Sequence, residues 1–323
     1  MTTTTASSAN LIRAEVWSSE LKEALQDDLM MMGFVDILDE FPDGDQFNIP
    51  SVGDPQVDDY IEDDDITMRP LDTGEFTFTI DEYISSGTYV TKKNEQDMYY
   101  MNQLVSSFVP KQRRAILEHF ETTVLEKPED ILGASANGQF AIDSANHRYA
   151  GGNSGAIELA DFAYALYALK KARVPQTNLV AIVDPSVEYV FNTTSSLVQV
   201  SDNPRWEGII ADGIGTGMKF VKNVYGFDVY TSNYLPTVTD GAMPDRGGAG
   251  TVDYSAVNGV ANYFFSAAPD VLPWKAAWRQ EPEVDTEYVG RKQRTEFYTT
   301  ARYGSKLYRP ENMVSVLHNT AVS

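Results

Sequence analysis

Between Lys22 and Arg69 the chain carries no cation, yet the same stretch holds fifteen carboxylates, from Glu23 to Asp65. Such an asymmetry marks a distinct region, and its apolar residues come in separate pieces. Trp17, Leu21, Leu25, Leu29 and Met32 recur at helical spacing, which predicts a helix over 19–32 with Gly33 as its C-terminal stop. Residues 46–49 and 75–81 read as two strands flanking a long acidic turn at 54–65. In the second strand Phe76, Phe78 and Ile80 alternate with Thr77, Thr79 and Asp81, so one side is apolar. A pair of strands cannot cover its own apolar face. Nothing in the first 90 residues forms a self-contained core, so helix and ribbon are expected to dock on the rest of the chain or on another chain.

The remainder has the material for a core. In 323 residues, 42% are hydrophobic and 11% aromatic, enough for one large domain or two small ones. With 25 Lys and Arg against 47 Asp and Glu, the net charge is −22. The absence of cysteine excludes disulfides, thiolate metal sites and a cysteine nucleophile. The N-terminus has neither a basic nor an apolar targeting region. No window approaches the roughly 18 apolar residues of a membrane span, so a soluble compartment is expected. His119, His147 and His318 stand in no metal-ligand spacing and read as packing or surface residues.

A long helical stretch is predicted over 94–126, with Pro110 kinking or splitting it and Lys127-Pro128 closing it. Residues 133–155 read as an irregular connection. A second helix over 156–173 is apolar nearly all round, and the apolar run 179–183 is a buried strand. Asp184-Pro185 caps a further helix. Two strands meet at Gly226, a glycine-rich loop follows over 237–256, and 259–265, 296–308 and 313–317 read as strands. The fold class is α+β.

Motifs of chemistry are weak. Gly213-Ile-Gly-Thr-Gly217 lacks the order of a phosphate loop and reads as a turn, and Ser154 lacks the Gly-x-Ser-x-Gly setting of a nucleophile. The carboxylates at Asp58, Asp59, Glu62, Asp63, Asp64 and Asp65 lack the order of an EF-hand and read as a solvated loop. No catalytic, cofactor-binding or metal-ligating residues are therefore expected. Nucleic-acid binding needs clustered cations. The one basic concentration, Arg291, Lys292, Arg294, Arg302, Lys306 and Arg309, is better suited to ion pairs, including pairs with the acidic region of a neighbouring subunit.

The order of elements, together with Phe76-Thr-Phe-Thr-Ile-Asp81, Val180-Ala-Ile-Val-Asp-Pro-Ser-Val-Glu-Tyr189, Tyr225-Gly-Phe-Asp-Val-Tyr-Thr-Ser-Asn-Tyr-Leu-Pro236 and the stretch from Ala301 to Leu317, resembles the major capsid proteins of tailed bacteriophages, with their Hong Kong 97-type coat fold. The resemblance spans roughly 11–318. It implies an N-arm over 1–45, an extended β-hairpin loop over 46–91, a peripheral domain with a spine helix over 92–155 and 275–323, and an axial α/β domain over 156–274. It also implies a structural protein, not an enzyme, whose hexamers and pentamers close into an icosahedral shell around double-stranded DNA. Its place would be the virion, with assembly in the host cytoplasm. Partners implied are the chain itself, a portal protein, a cement protein in some members, and a separate scaffolding protein, since little chain precedes the arm. The enclosed DNA would be held without specific binding, because a coat of −22 per copy does not stick to phosphate. Candidates for contact between subunits are Trp17, Leu21, Leu25, Phe76, Phe78, Ile80, Arg291 and Arg294. No lysine lies between Lys22 and Lys92, which argues against the lysine–asparagine crosslink of some members. Encapsulin shells share the fold, and an acidic α/β enzyme holding a divalent ion at 58–65 is the alternative of another class.

Overall fold

The computed structural model describes residues 29–38, 46–53, 57–59, 62–63, 65, 68, 70, 73–97, 101–134, 140–152, 155–193, 220–239, 241–248, 250–254 and 259–320. A 3-10 turn (Met31–Gly33) leads into β1 (Val35–Ile37), β2 (Gln46–Val52), β3 (Thr73–Thr79) and β4 (Glu82–Thr91). Helices α1 (Lys92–Asp97) and α2 (Met101–Leu132) precede the short strands β5 (Ala141–Ile142), β6 (Ala145–Asn146) and β7 (Arg148–Ala150). Next come α3 (Leu159–Lys171), β8 (Leu179–Val183), α4 (Pro185–Thr193), β9 (Phe220–Val224) and β10 (Phe227–Thr231). Short strands β11 (Thr237–Val238), β12 (Ala242–Pro244) and β13 (Thr251–Asp253) lead to β14 (Gly259–Ser266), β15 (Trp274–Val289), β16 (Arg294–Leu307) and β17 (Val314–Asn319).

One body is a seven-stranded sheet in the order β7-β17-β14-β8-β10-β9, with β11 beside β14. Every residue of β8, β14 and β17 is buried, because both faces are covered. The two-residue period sends Val180, Ile182, Tyr263 and Phe265 to the α2 side, where Phe120, Val124 and Leu125 lie. Ala181, Val183, Phe264 and Val316 go to the α3 side, with Phe162 and Leu169. The turn between β9 and β10 needs left-handed backbone at Tyr225 (φ 51°) and Gly226 (φ 91°), and glycine supplies the second at no steric cost. Asp184 caps α4 by accepting the Ser186 amide at 2.9 Å, as expected from the Asp-Pro pair.

The other body is the sheet β1-β15-β16-β4, with α2 packed on one face. Phe120 meets Trp278 and Tyr303 at ring distances of 4.8 and 5.1 Å. Gln112 donates to Thr88 Oγ1 at 2.8 Å.

Three expectations are corrected here. Helix α2 runs through both Pro110 and Pro128 to Leu132, about 48 Å in all. Pro110 is exposed and stands inside the helix without ending it. The burial of Ile116, Phe120, Val124 and Leu132 holds the rod together past Pro128. Secondly, the stretch read as an irregular connection contains β5, β6 and β7, and the loop over 237–256 contains β11 to β13. Thirdly, β4 and the whole of β15 are strands that the sequence reading did not supply. The helix expected over 19–32 lies mainly outside the described residues, and Met31–Gly33 within it is a 3-10 turn.

Candidate assembly surfaces

The arm is seated from within. Met31 is fully buried and Phe34 packs on Tyr230 and Phe265, both at 5.7 Å. Strand β1 then pairs in parallel with β15, Val35 opposite Trp274, and Lys275 reaches Asp36 at 2.5 Å. At the entry, the Glu121 carboxylate on α2 accepts the Met30 amide at 2.9 Å and the Met31 amide at 3.5 Å. Glu121 is 1% exposed, and its Oε1 is buried without a partner among the described residues. Burial pushes its carboxyl up from 4.5 to about 7, against the lowering pull of the two amides and of Arg114.

The ribbon of β2 and β3 pairs seven residues on each strand, from Gln46 opposite Thr79 to Val52 opposite Thr73. Its root lies on β16. A Cβ at Gly304 would stand 2.5 Å from the Thr79 carbonyl oxygen and 3.0 Å from the Ile80 Cα, so only glycine allows this crossing. Lys306 donates to the Thr77 carbonyl at 2.9 Å and lies 4.8 Å over the Phe76 ring, which meets Tyr308 edge-on at 4.9 Å. Phe78 and Ile80 are buried with Ala277, against Leu38 of the arm. The alternation of the strand is real, and its apolar side is covered by this same chain, which leaves Phe78 and Ile80 no surface to offer a neighbour. Phe76 is half-buried at the margin. Trp17, Leu21 and Leu25 lie outside the described residues, as do Ser154 and the stretch from Gly213 to Gly217.

The sheet face turned away from α2 is open. Exposed Tyr83 and Tyr89 stand on β4, with Glu283, Asp285 and Glu287 on β15. Tyr298 between them has its hydroxyl held up by partial desolvation and by Asp285, Glu287 and Glu296. At the far end, the turn between β15 and β16 exposes Arg291 and Lys292, and the Lys92 amide donates to the Gln293 carbonyl at 2.8 Å. That bond brings exposed Lys92 and Lys93 beside the turn. Arg294 is committed within the chain, to Glu296 at 2.5 Å and over the Tyr89 ring at 4.4 Å.

Remaining polar groups hold the bodies together. Arg148, 1% exposed, bonds Glu129 of α2 at 2.8 Å, and Ser315 of β17 donates to the same carboxylate at 2.6 Å. Asp161 accepts the amides of Glu158 and Gly152 and the Arg246 guanidinium. His147 and His318 are fully buried packing residues, and burial lowers the pKa of both. Among the described residues no three acidic or histidine side chains gather as a metal site, and no helix is long and apolar enough to cross a membrane.

Sequence reading missed Glu121, although it stands on the apolar stripe of Leu117, Phe120 and Val124, where a lone carboxylate is out of place. It also missed Lys92 and Lys93, which have no basic neighbours in the chain until the β4–β16 pairing brings Arg291 and Lys292 to them.

The whole architecture is that of phage capsids. The chain matches the capsid structure of cyanophage P-SCSP1u over 98% of its length and 95% of that chain, with a TM-score of 0.71 at 15% identity. It matches the capsid of cyanophage Pam1 over 100% and 99%, with TM-score 0.66 and 13% identity. A chain of Mycobacterium phage Che8 matches over 97% and 99%, with TM-score 0.68 and 16% identity. No protein-family model and no curated sequence matches the chain. The coat fold implied by the sequence resemblance is therefore the fold of this protein, across its full length.

Proposed function

We propose that this protein is the major coat protein of a tailed phage, a structural and non-enzymatic subunit whose hexamers and pentamers close into an icosahedral head around double-stranded DNA. The likeness to phage capsid structures over nearly the full length of both chains carries this reading. In it, 1–45 form the N-arm, 46–91 the extended loop, 92–155 and 275–323 the peripheral domain with α2 as spine, and 156–274 the axial domain. The ribbon and the open sheet face are the surfaces that copies share, and closed rings of such copies need contacts of the head-to-tail kind. A separate scaffolding protein, a portal and, in some lattices, a cement protein complete the particle, assembled in the host cytoplasm. DNA is enclosed without specific contacts, consistent with the charge of −22.

Electron microscopy of the purified chain, with sedimentation, tests this. Ring-shaped capsomers or closed shells are expected. A chain that remains a monomer or small globular oligomer at every concentration and salt would overturn it.

A further inference from the structure

Two charge clusters of opposite sign mark the two ends of one elongated body. Strand register fixes where they stand. Along β16, Arg294 pairs with Thr91 and Tyr303 with Glu82. The chain then continues past the end of that pairing, with Thr79 against Gly304, Thr77 against Lys306 and Phe76 against Tyr308. Residue numbers fall on one strand as they rise on the other, so β3 prolongs β4, and the ribbon projects beyond the C-terminal end of β16. The turn carrying Arg291 and Lys292 lies at the opposite end. The fourteen residues of β16 span about 45 Å, and the ribbon adds roughly 10 Å from Phe76 to Thr73.

The loop that joins β2 to β3 therefore begins more than about 50 Å from the basic turn of its own chain. Its described carboxylates, Asp58, Asp59, Glu62, Asp63 and Asp65, are all exposed. At the other end, Lys93, Arg291 and Lys292 are exposed and have no ion-pair partner among the described residues, in a chain that is otherwise strongly acidic. The own loop faces the wrong way to neutralise them, and a second copy placed head to tail does not.

We infer that the acidic ribbon loop of one copy docks on the basic end formed by Lys92, Lys93, Arg291 and Lys292 of the next. This rests on the coat reading above and adds the contact and its chemistry. Local pairing governs, because at physiological salt charges more than about 8 Å apart are screened. Duplex DNA fits this end less well than a loop does. A rod of phosphates would also lie along the exposed row Glu283, Asp285 and Glu287 that leads up to the turn.

The test uses the full chain and two charge reversals, K93E/R291E/K292E at the turn and D58K/D59K/E62K in the loop, with circular dichroism to establish folding. Each reversal alone is expected to lose the fast-sedimenting capsomers and shells, and raised salt is expected to weaken wild-type assembly. Mixing the two reversed chains is expected to restore a ring of alternating copies, since each acidic loop then meets an unchanged basic turn and each basic loop meets an acidic turn. Both reversals in one chain restore it. Should wild type and both single reversals assemble alike, the contact is wrong while the coat reading stands. Should folded single reversals fail and the combined variant fail equally, pairing between the two ends is also refuted. A 20-base-pair duplex that binds wild type and not the turn variant, with assembly unchanged, would assign the turn to nucleic acid instead. A wild type that never forms capsomers sinks the coat reading, and this contact with it.

Discussion

The Glu121 carboxylate receives the backbone amide of Met30 at 2.9 Å, across 91 positions of chain, and so ties the end of the arm to the middle of the long helix. Glu121 is withdrawn from water while Met30 is half-buried, and Glu121 Oε1 has no second donor among the described residues. The bond is therefore strong in direction and expensive in desolvation.

This arrangement predicts that arm docking weakens as pH rises. The carboxyl rises from 4.5 when free to about 7 in the folded chain, and where the arm supplies that burial the docked state holds the proton more tightly. Stability is fully present below pH 4.5 and is lost progressively up to pH 7, by about 2 kcal/mol once residual hydration of the site is discounted. Charged neighbours are Arg114 and Glu118 of α2, themselves paired at 3.1 Å, with the Tyr234 hydroxyl on Glu118. Amide exchange at Met30 and Met31, corrected for intrinsic rates, should show protection falling between pH 5 and 7. Glu121→Gln should flatten that slope, and an unchanged slope in the variant would assign the effect elsewhere.

At the ribbon root, Gly304→Val should be severe. The added atoms would meet backbone at Thr79 and Ile80, which cannot swing aside as a side chain does. Overpacking of this kind costs about 1–3 kcal/mol. Urea unfolding should record that loss, and protease cleavage within 73–80 should become faster. Tolerance of valine with neither change would mean that the crossing is looser than the 2.5 Å approach indicates.

Arg148 and Glu129 give a prediction about sign. Removing one partner of a buried ion pair leaves an uncompensated charge, at about 3–5 kcal/mol, whereas replacing both by apolar groups is often close to neutral. Arg148→Met alone should therefore destabilise more than Arg148→Met with Glu129→Leu. The Ser315 hydroxyl loses its acceptor in the double variant, which limits the recovery. A strictly additive double-mutant cycle would show that the pair is not coupled.

How much of this was legible in the sequence depended on whether a residue's neighbours in the chain are also its neighbours in the fold. The run from Leu179 to Val183, the turn at Gly226 and the alternation of Phe76, Phe78 and Ile80 are local signals, and each led to the element observed. Strand β15 has no such signal: Glu281, Glu283, Asp285 and Glu287 alternate with Pro282, Val284 and Thr286, because one face stays open to water and the other is only partly covered. Strand β4, with Ser85, Ser86 and Gly87, exists because β16 pairs with it. The same limit hid the basic end, whose lysines and arginines meet only through strand register. Pro110 shows the reverse case, a strong local signal overridden by the packing of Ile116, Phe120 and Val124.

His318 adds a response to acid that runs opposite to that of Glu121. Its Nδ1 accepts the Ile157 amide at 3.1 Å, while Nε2 is buried without a partner among the described residues. Burial lowers its pKa below 6.5, so the folded chain binds fewer protons than the unfolded one. The stability it contributes is present above pH 6.5 and is lost as pH falls toward the lowered value. His147 shifts the same way for the same reason, with Nδ1 donating to the Met313 carbonyl at 2.9 Å. In the Glu121→Gln chain, where the opposing carboxyl is removed, global unfolding in urea should therefore become easier from pH 7 to 5. His318→Asn can keep an acceptor for Ile157 while removing the titration, and it should flatten part of the global slope without altering exchange at Met30. If the variant instead changes the arm and leaves global unfolding untouched, the two proton sites are coupled, and the assignment of local and global effects to Glu121 and His318 fails.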